Sequence, residues 1–215
     1  MFSIKVDNVV KKFGETIVLD GVNMEFEKGK IHGIVGRNGS GKTMLLKCIC
    51  GFVPVTSGVI TVNNKRVGKD TDVPESVGII IEAPGFLPNY TGYKNLHILA
   101  MIHGKADKEK IKETIKLVGL DPESKKTVGK YSLGMRQRLG IAQALMEDPD
   151  ILILDEPMNG LDNKGVSDIR NLLLSLLEQG KTILLASHGK EDIEILCDTV
   201  CEMDNGKLVQ RVRKT

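Results

Sequence analysis

Residues 36–43 read Gly-Arg-Asn-Gly-Ser-Gly-Lys-Thr, and this G-x-x-x-x-G-K-T spacing narrows the available folds more than any other feature of the chain. The run before it, Ile31-His32-Gly33-Ile34-Val35, is short, mostly apolar and partly β-branched, as a buried strand is. The run after it, Met44-Leu45-Leu46-Lys47-Cys48-Ile49, suits the start of a buried helix. Strand, glycine loop and helix together make a phosphate cradle. Gly36, Gly39 and Gly41 allow a tight turn whose N–H groups, with those of Arg37, Asn38 and Ser40, point at phosphate oxygens. The helix N-terminus adds partial positive charge. Lys42 can reach the β- and γ-phosphates, and the Thr43 hydroxyl can bind Mg²⁺.

A second run, Ile151-Leu152-Ile153-Leu154, reads as a buried strand that ends in Asp155-Glu156-Pro157. Parallel sheets bind ligands at the C-terminal ends of their strands. There Asp155 can hold Mg²⁺, directly or through water, and Glu156 can polarise an attacking water. A plain charged strand exit would leave the paired acids after an all-apolar run unexplained. His188 follows a third buried strand, Thr182-Ile183-Leu184-Leu185-Ala186. A neutral imidazole there could bond a γ-phosphate or the water attacking it, although a lone histidine is more often structural.

The first thirty residues alternate as an antiparallel layer beside a parallel sheet: a strand through Phe2, Ile4 and Val6, a run over Val9–Gly14 that leads into a turn, a strand at Ile17–Leu19 and another through Val22, Met24 and Phe26. Phe13 can stack on adenine or cap the core edge, and the local sequence does not separate the two. Val59–Val62 and Val77–Ile81 are further strands, with a polar loop over 64–75. The second ends at Glu82, before Ala83-Pro84-Gly85-Phe86-Leu87-Pro88, a run whose prolines and glycine exclude helix and sheet. Glu82 is placed for function there, or is a solvated loop charge. From Tyr93 to about Lys130 the apolar spacing is helical, with Thr91 and Asp107 as caps and no strand candidate before Ile151. Ser132, ahead of a helix expected over Arg138 to about Glu147, is an N-cap, and Gly134 leaves backbone N–H groups open. This is a second candidate anion site or an ordinary capped helix. Asn159-Gly160-Leu161-Asp162 is a turn before another helix, and Asp204-Asn205-Gly206-Lys207 turns a hairpin before a loose Arg213-Lys214-Thr215 terminus.

These readings describe an α/β chain: a P-loop core with a mixed, mainly parallel sheet (about 1–82 and 148–215), an N-terminal antiparallel β layer and an inserted helical subdomain (about 83–147). A length of 215 residues suits one such domain. The formal net charge of +2 makes no case for nucleic acid as a partner. No apolar run approaches the ~20 residues needed to span a bilayer, and the N-terminus has no secretory pattern, so a cytoplasmic location is expected. The spacings Cys48-x-Cys50 and Cys197-x-x-x-Cys201 fit no zinc pattern and lie in apolar runs, as buried free thiols do.

In this order the motifs resemble the nucleotide-binding subunit of an ABC transporter, over nearly the whole chain. Gly36 through Thr43 match the family's Walker A loop, Ile151 through Asp155 its Walker B strand, and Glu156 its catalytic base. Ser132 and Gly134 match its signature loop, Asp162 its D-loop aspartate, His188 its switch histidine and Phe13 its adenine-stacking aromatic. The resemblance implies an Mg²⁺-dependent ATPase that dimerises head to tail, as homodimer or heterodimer, each ATP lying between one phosphate loop and the other subunit's signature loop. It implies a separate integral membrane permease as partner, with Phe86, Tyr90 and Tyr93 either near its docking helix or packing the helical subdomain. Three departures stand out. Tyr131-Ser132-Leu133-Gly134-Met135 replaces the usual Leu-Ser-Gly-Gly-Gln. Glu82 replaces a glutamine that contacts the metal. The chain ends at Thr215, where relatives of this kind often continue. The stretch around Glu82 and Pro88-Asn89-Tyr90-Thr91 looks like bacitracin- and lantibiotic-type exporters. The rival reading, a soluble ABC ATPase acting on ribosomes or DNA, usually has two cassettes or a long coiled coil, and neither pattern occurs here.

Overall fold

A computed structural model describes residues 1–82, 85–104 and 106–213. Ala83 and Pro84 of the expected loop, and Lys214 and Thr215 of the expected loose terminus, lie outside the described residues. In chain order the elements are β1 (Phe2–Phe13), β2 (Thr16–Glu27), β3 (Ile31–Val35), α1 (Lys42–Ile49), β4 (Ser57–Val62), β5 (Lys65–Arg66), β6 (Val77–Ile80), α2 (Gly92–His103), α3 (Lys108–Leu117), a 3₁₀ turn (Val128–Lys130), α4 (Leu133–Leu145), β7 (Ile151–Asp155), α5 (Asn163–Glu178), β8 (Thr182–Ala186), α6 (Lys190–Leu196), β9 (Thr199–Asp204) and β10 (Lys207–Arg213).

The strands form two sheets. One is antiparallel, in the order β2-β1-β4-β5. The other runs β10-β9-β3-β8-β7-β6, parallel throughout except for the β9–β10 hairpin. The parallel sheet is covered on both faces, which explains the unbroken apolar runs Ile151–Leu154 of β7 and Ile183–Ala186 of β8. Ile151 and Ile153 of β7 face a core shared with α1 and the antiparallel sheet. Leu152 and Leu154, the alternate residues, face a core shared with α4, α5 and α6. Among the described residues, the helices between β6 and β7 share their core with the parallel sheet. Leu96, Ile111, Ile115 and Leu139 belong to the same buried cluster as Leu152 and Leu154. At Gly78 on β6 a Cβ would lie 2.0 Å from the Ala144 carbonyl, so α4 comes too close to the strand for any other residue.

Three local expectations are corrected. The Val9–Gly14 run does lead into a turn, but it is itself strand as far as Phe13, because register shifts near Val9 and Lys11 absorb the irregularity and Phe13 still pairs with Thr16. The strands expected at Ile17 and Val22 are one continuous β2. Helix α4 begins at Leu133, not Arg138, because Ser132 caps it: the Met135 N–H donates to Ser132 Oγ at 3.2 Å. Gly134 is therefore in the first turn, where backbone N–H groups have no intrahelical acceptor. Thr91 and Asp107 cap α2 and α3 as expected. All four cysteines are buried and none is in a disulfide, and burial pushes the Cys48 and Cys50 thiols up to about 11 and about 12. Among the described residues, no helix is long and apolar enough to cross a membrane.

Candidate nucleotide site

The loop between β3 and α1 has the shape its glycines foretell. Gly36 has φ 152°, and a Cβ there would lie 2.3 Å from the Met203 carbonyl. Gly39 has φ 80°, and its Cβ position faces open space, the side on which a phosphate fits. Lys42 is buried, and its Nζ donates to the carbonyls of Gly36 at 2.7 Å and Arg37 at 3.2 Å. The lysine thus fixes the curvature of its own loop before any anion arrives.

Thr43, next on α1, donates its hydroxyl to Asp155 Oδ2 at 2.7 Å. Asp155 is the last residue of β7 and is 9% exposed. Burial holds its carboxyl above the ordinary range, the Thr43 hydrogen bond opposes this, and Glu156, against the pull of Lys42, adds to it along with Glu82. A hydroxyl and a carboxylate oxygen side by side are the hard donors Mg²⁺ takes, so these residues fit that ion. Val18, Asn38 through Met44, Asp155 and Glu156 line one cleft of about 290 Å³.

Glu156 has a left-handed backbone, φ 51°, uncommon for a glutamate. It is held by its N–H, which donates to the Ala186 carbonyl at 2.8 Å, and by Gln137 Nε2, which donates to its carbonyl at 3.4 Å. The left-handed turn takes the chain out of β7 with both acids at the strand end. His188 Nδ1 lies 2.8 Å from Glu156 Oε1. The carboxylate accepts, so Nδ1 carries the proton of this hydrogen bond.

The remaining residues singled out in the sequence do not line this cleft. Glu82 has φ 63°, and its carboxylate accepts from Lys47 Nζ at 2.6 Å. Phe13 is 51% exposed, with Lys11 Nζ 4.5 Å from its ring centroid. Ser132 and Gly134 stand beside the turn after Glu156: a Cβ on Gly134 would meet the Gly160 carbonyl at 2.8 Å. Asp162 caps α5 by accepting from the Gly165 N–H at 2.8 Å. Val18 at the cleft, Gln137 as a partner of Glu156 and Lys47 as the partner of Glu82 escaped sequence reasoning. Lys47 was detectable, four residues past Thr43 and so on the same helix face. Val18 and Gln137 carried no local signal, because tertiary packing alone brings them to the site.

A glycine cradle with its lysine, a hydroxyl–carboxylate pair and a second carboxylate at a parallel strand end define a nucleoside-triphosphate site of the P-loop class. The chain belongs to the ABC transporter family, whose model matches residues 19–159, and within it to the ATP-binding ATPase subunits. It is 48% identical over 205 residues to an uncharacterised ABC transporter ATP-binding protein of Bacillus subtilis (strain 168), YybJ, covering 95% of this chain and 94% of that one. It is 43% identical over 213 residues to the bacitracin transport ATP-binding protein BcrA of Enterococcus faecalis, covering 98% and 69%. It is 36% identical over 206 residues to the lantibiotic transport ATP-binding protein SrtF of Streptococcus pyogenes, covering 96% and 89%. A crystal structure of a nucleotide-free ATP-binding cassette from an ABC transporter superposes with a TM-score of 0.86 at 26% identity, over 100% of this chain and 92% of that one.

Proposed function

We propose that this chain hydrolyses ATP to drive a separate integral membrane permease that exports an antibiotic peptide or similar compound. The observation that carries the ATPase part is the joining of Thr43 to Asp155, with Glu156 next in the chain and bonded to His188. The loop amides of 36–41 and Lys42 hold the triphosphate. Thr43 and Asp155, with Glu82 nearby, would hold Mg²⁺, which would supply charge neutralisation for the triphosphate. Glu156 takes the proton of the attacking water, and His188 orients that carboxylate and contacts the γ-phosphate. Phe13 stacks on the adenine, with Lys11 against its ring.

Ser132, Gly134 and Asp162 belong to the same reading through a second copy. They cluster around the 159–162 turn and not on the cleft, so in a head-to-tail pair they would meet the other subunit's nucleotide. The pair is a homodimer or a heterodimer. The division into a core of about 1–82 and 148–215 and a helical subdomain of about 83–147 is part of the proposal, the latter being the side that meets the permease. The protein is then cytoplasmic and peripheral on the membrane, with no direct nucleic-acid partner. Export of an antibiotic follows from the likeness to the bacitracin and lantibiotic transport subunits. The test is affinity capture of the tagged chain from detergent-solubilised membranes. Recovery of a polytopic protein is expected, and co-sedimentation with ribosomes without one would favour the rival reading.

A further inference from the structure

Lys47 and Glu82 form an ion pair beside the nucleotide cleft. Lys47 lies on α1 one turn beyond Thr43, so the two side chains leave the same helix face. Thr43 holds Asp155 at 2.7 Å and Lys47 holds Glu82 at 2.6 Å. The two carboxylates come from neighbouring parallel strands: Ile80 of β6 pairs with Leu154 of β7, one residue before Asp155 and two before Glu82. One helix face therefore ties down both strand ends. The Lys47 side chain is 26% exposed and that of Glu82 64%, so the ammonium is the sheltered and better-fixed member. The left-handed backbone at Glu82 leaves β6 just where the pair forms.

We infer that Lys47 is a positioning residue for Glu82, a standing counter-ion that competes with the divalent cation for that carboxylate. The inference rests on the reading of Glu82 as part of the metal site. Without Lys47, a carboxylate at position 82 would add uncompensated charge beside Asp155, Glu156 and a triphosphate. With Lys47, the charge is balanced before metal arrives, and the cation gains only part of what a free carboxylate would give. The same pair joins the phosphate-loop helix to the segment leading to α2.

The test compares wild type, Lys47→Met, Lys47→Arg, Glu82→Gln and the Lys47→Met/Glu82→Gln double variant. Each is saturated with a non-hydrolysable ATP analogue, and the melting temperature is followed as Mg²⁺ is titrated. Lys47→Met is expected to lower the Mg²⁺ midpoint about two- to fivefold, the range of a partly exposed ion pair. It should leave the midpoint unchanged when Glu82 is already Gln, and Lys47→Arg should match wild type. In metal-free, nucleotide-free protein, the melting-temperature losses of Lys47→Met and Glu82→Gln should not add. An equal midpoint shift in both backgrounds would mean a general loss of positive charge and would overturn the inference. A raised midpoint for Glu82→Gln with none moved by Lys47→Met would keep Glu82 at the metal and overturn the inference alone. Superimposable midpoints for all five would overturn both, leaving the pair as a structural tie.

Discussion

Lys42 spends its charge on two carbonyls of its own loop, and the same donors are what a triphosphate would take. Lys42→Ala removes the one full positive charge among the residues lining the cleft. ATP affinity should fall about ten- to a hundredfold, the scale of a lost charge-assisted contact. Isothermal titration measures it, and an unchanged affinity would detach this lysine from the phosphates. Asp155 makes an opposite kind of prediction. Its carboxyl is held above the ordinary range chiefly by burial, so its ionisation opposes folding. That penalty is complete above the raised value and disappears as pH falls through it towards the unfolded value. Asp155→Asn keeps an acceptor for the Thr43 hydroxyl and removes the charge. The nucleotide-free variant should melt above wild type at neutral pH, the gap closing as pH is lowered, while Mg²⁺-dependent hydrolysis is lost. A variant that melts lower at neutral pH would show that Asp155 is compensated already.

At the scale of elements, α4 carries two jobs on one residue. Ser132 caps the helix and is the proposed contact to the other subunit's nucleotide. Ser132→Ala should cost about 1 kcal/mol of stability, or about 2–4 °C in melting temperature for a chain of this size. Ser132→Asp keeps the cap but sets a carboxylate towards phosphate. It should melt like wild type and lose most ATPase activity, whereas activity retained by both variants would leave Ser132 as a cap alone. The helix start at Leu133 was legible only in part. Ser132 announced a cap, but the glycine two residues on suggested a loop, and nothing local says that the first helical turn tolerates it. Elements buried on both faces, such as β7 and β8, were readable because an unbroken apolar run has few other uses. Strand β1 was not read past Val6, since its continuation depends on bulges and pairing with a distant partner. Gly78 shows another limit: its need for glycine comes from α4, some sixty residues away in sequence. Gly78→Ala should destabilise by about 1–3 kcal/mol through overpacking, as measured by denaturant unfolding.

Over the whole molecule, the sequence motifs fall into two groups that the chain alone does not unite. Asn38 through Thr43, Asp155 and Glu156 share a cleft, and His188 joins it through Glu156. These were legible because a phosphate cradle and a strand-end acid pair are local patterns whose chemistry follows from spacing. Ser132, Gly134 and Asp162 stand apart, and the role proposed for them comes only from the family resemblance. The proposed site assembled from two chains would account for the separation, and in that reading ATP drives the association. The central claim is that Glu156 activates water in a site that binds ATP without it. Its most direct test is phosphate release from ATP by wild type and Glu156→Gln, with ATP binding measured on the same preparations. The amide cannot accept the proton, so binding should stay within about twofold of wild type while turnover falls by at least about a hundredfold. Wild-type turnover by Glu156→Gln would contradict the claim.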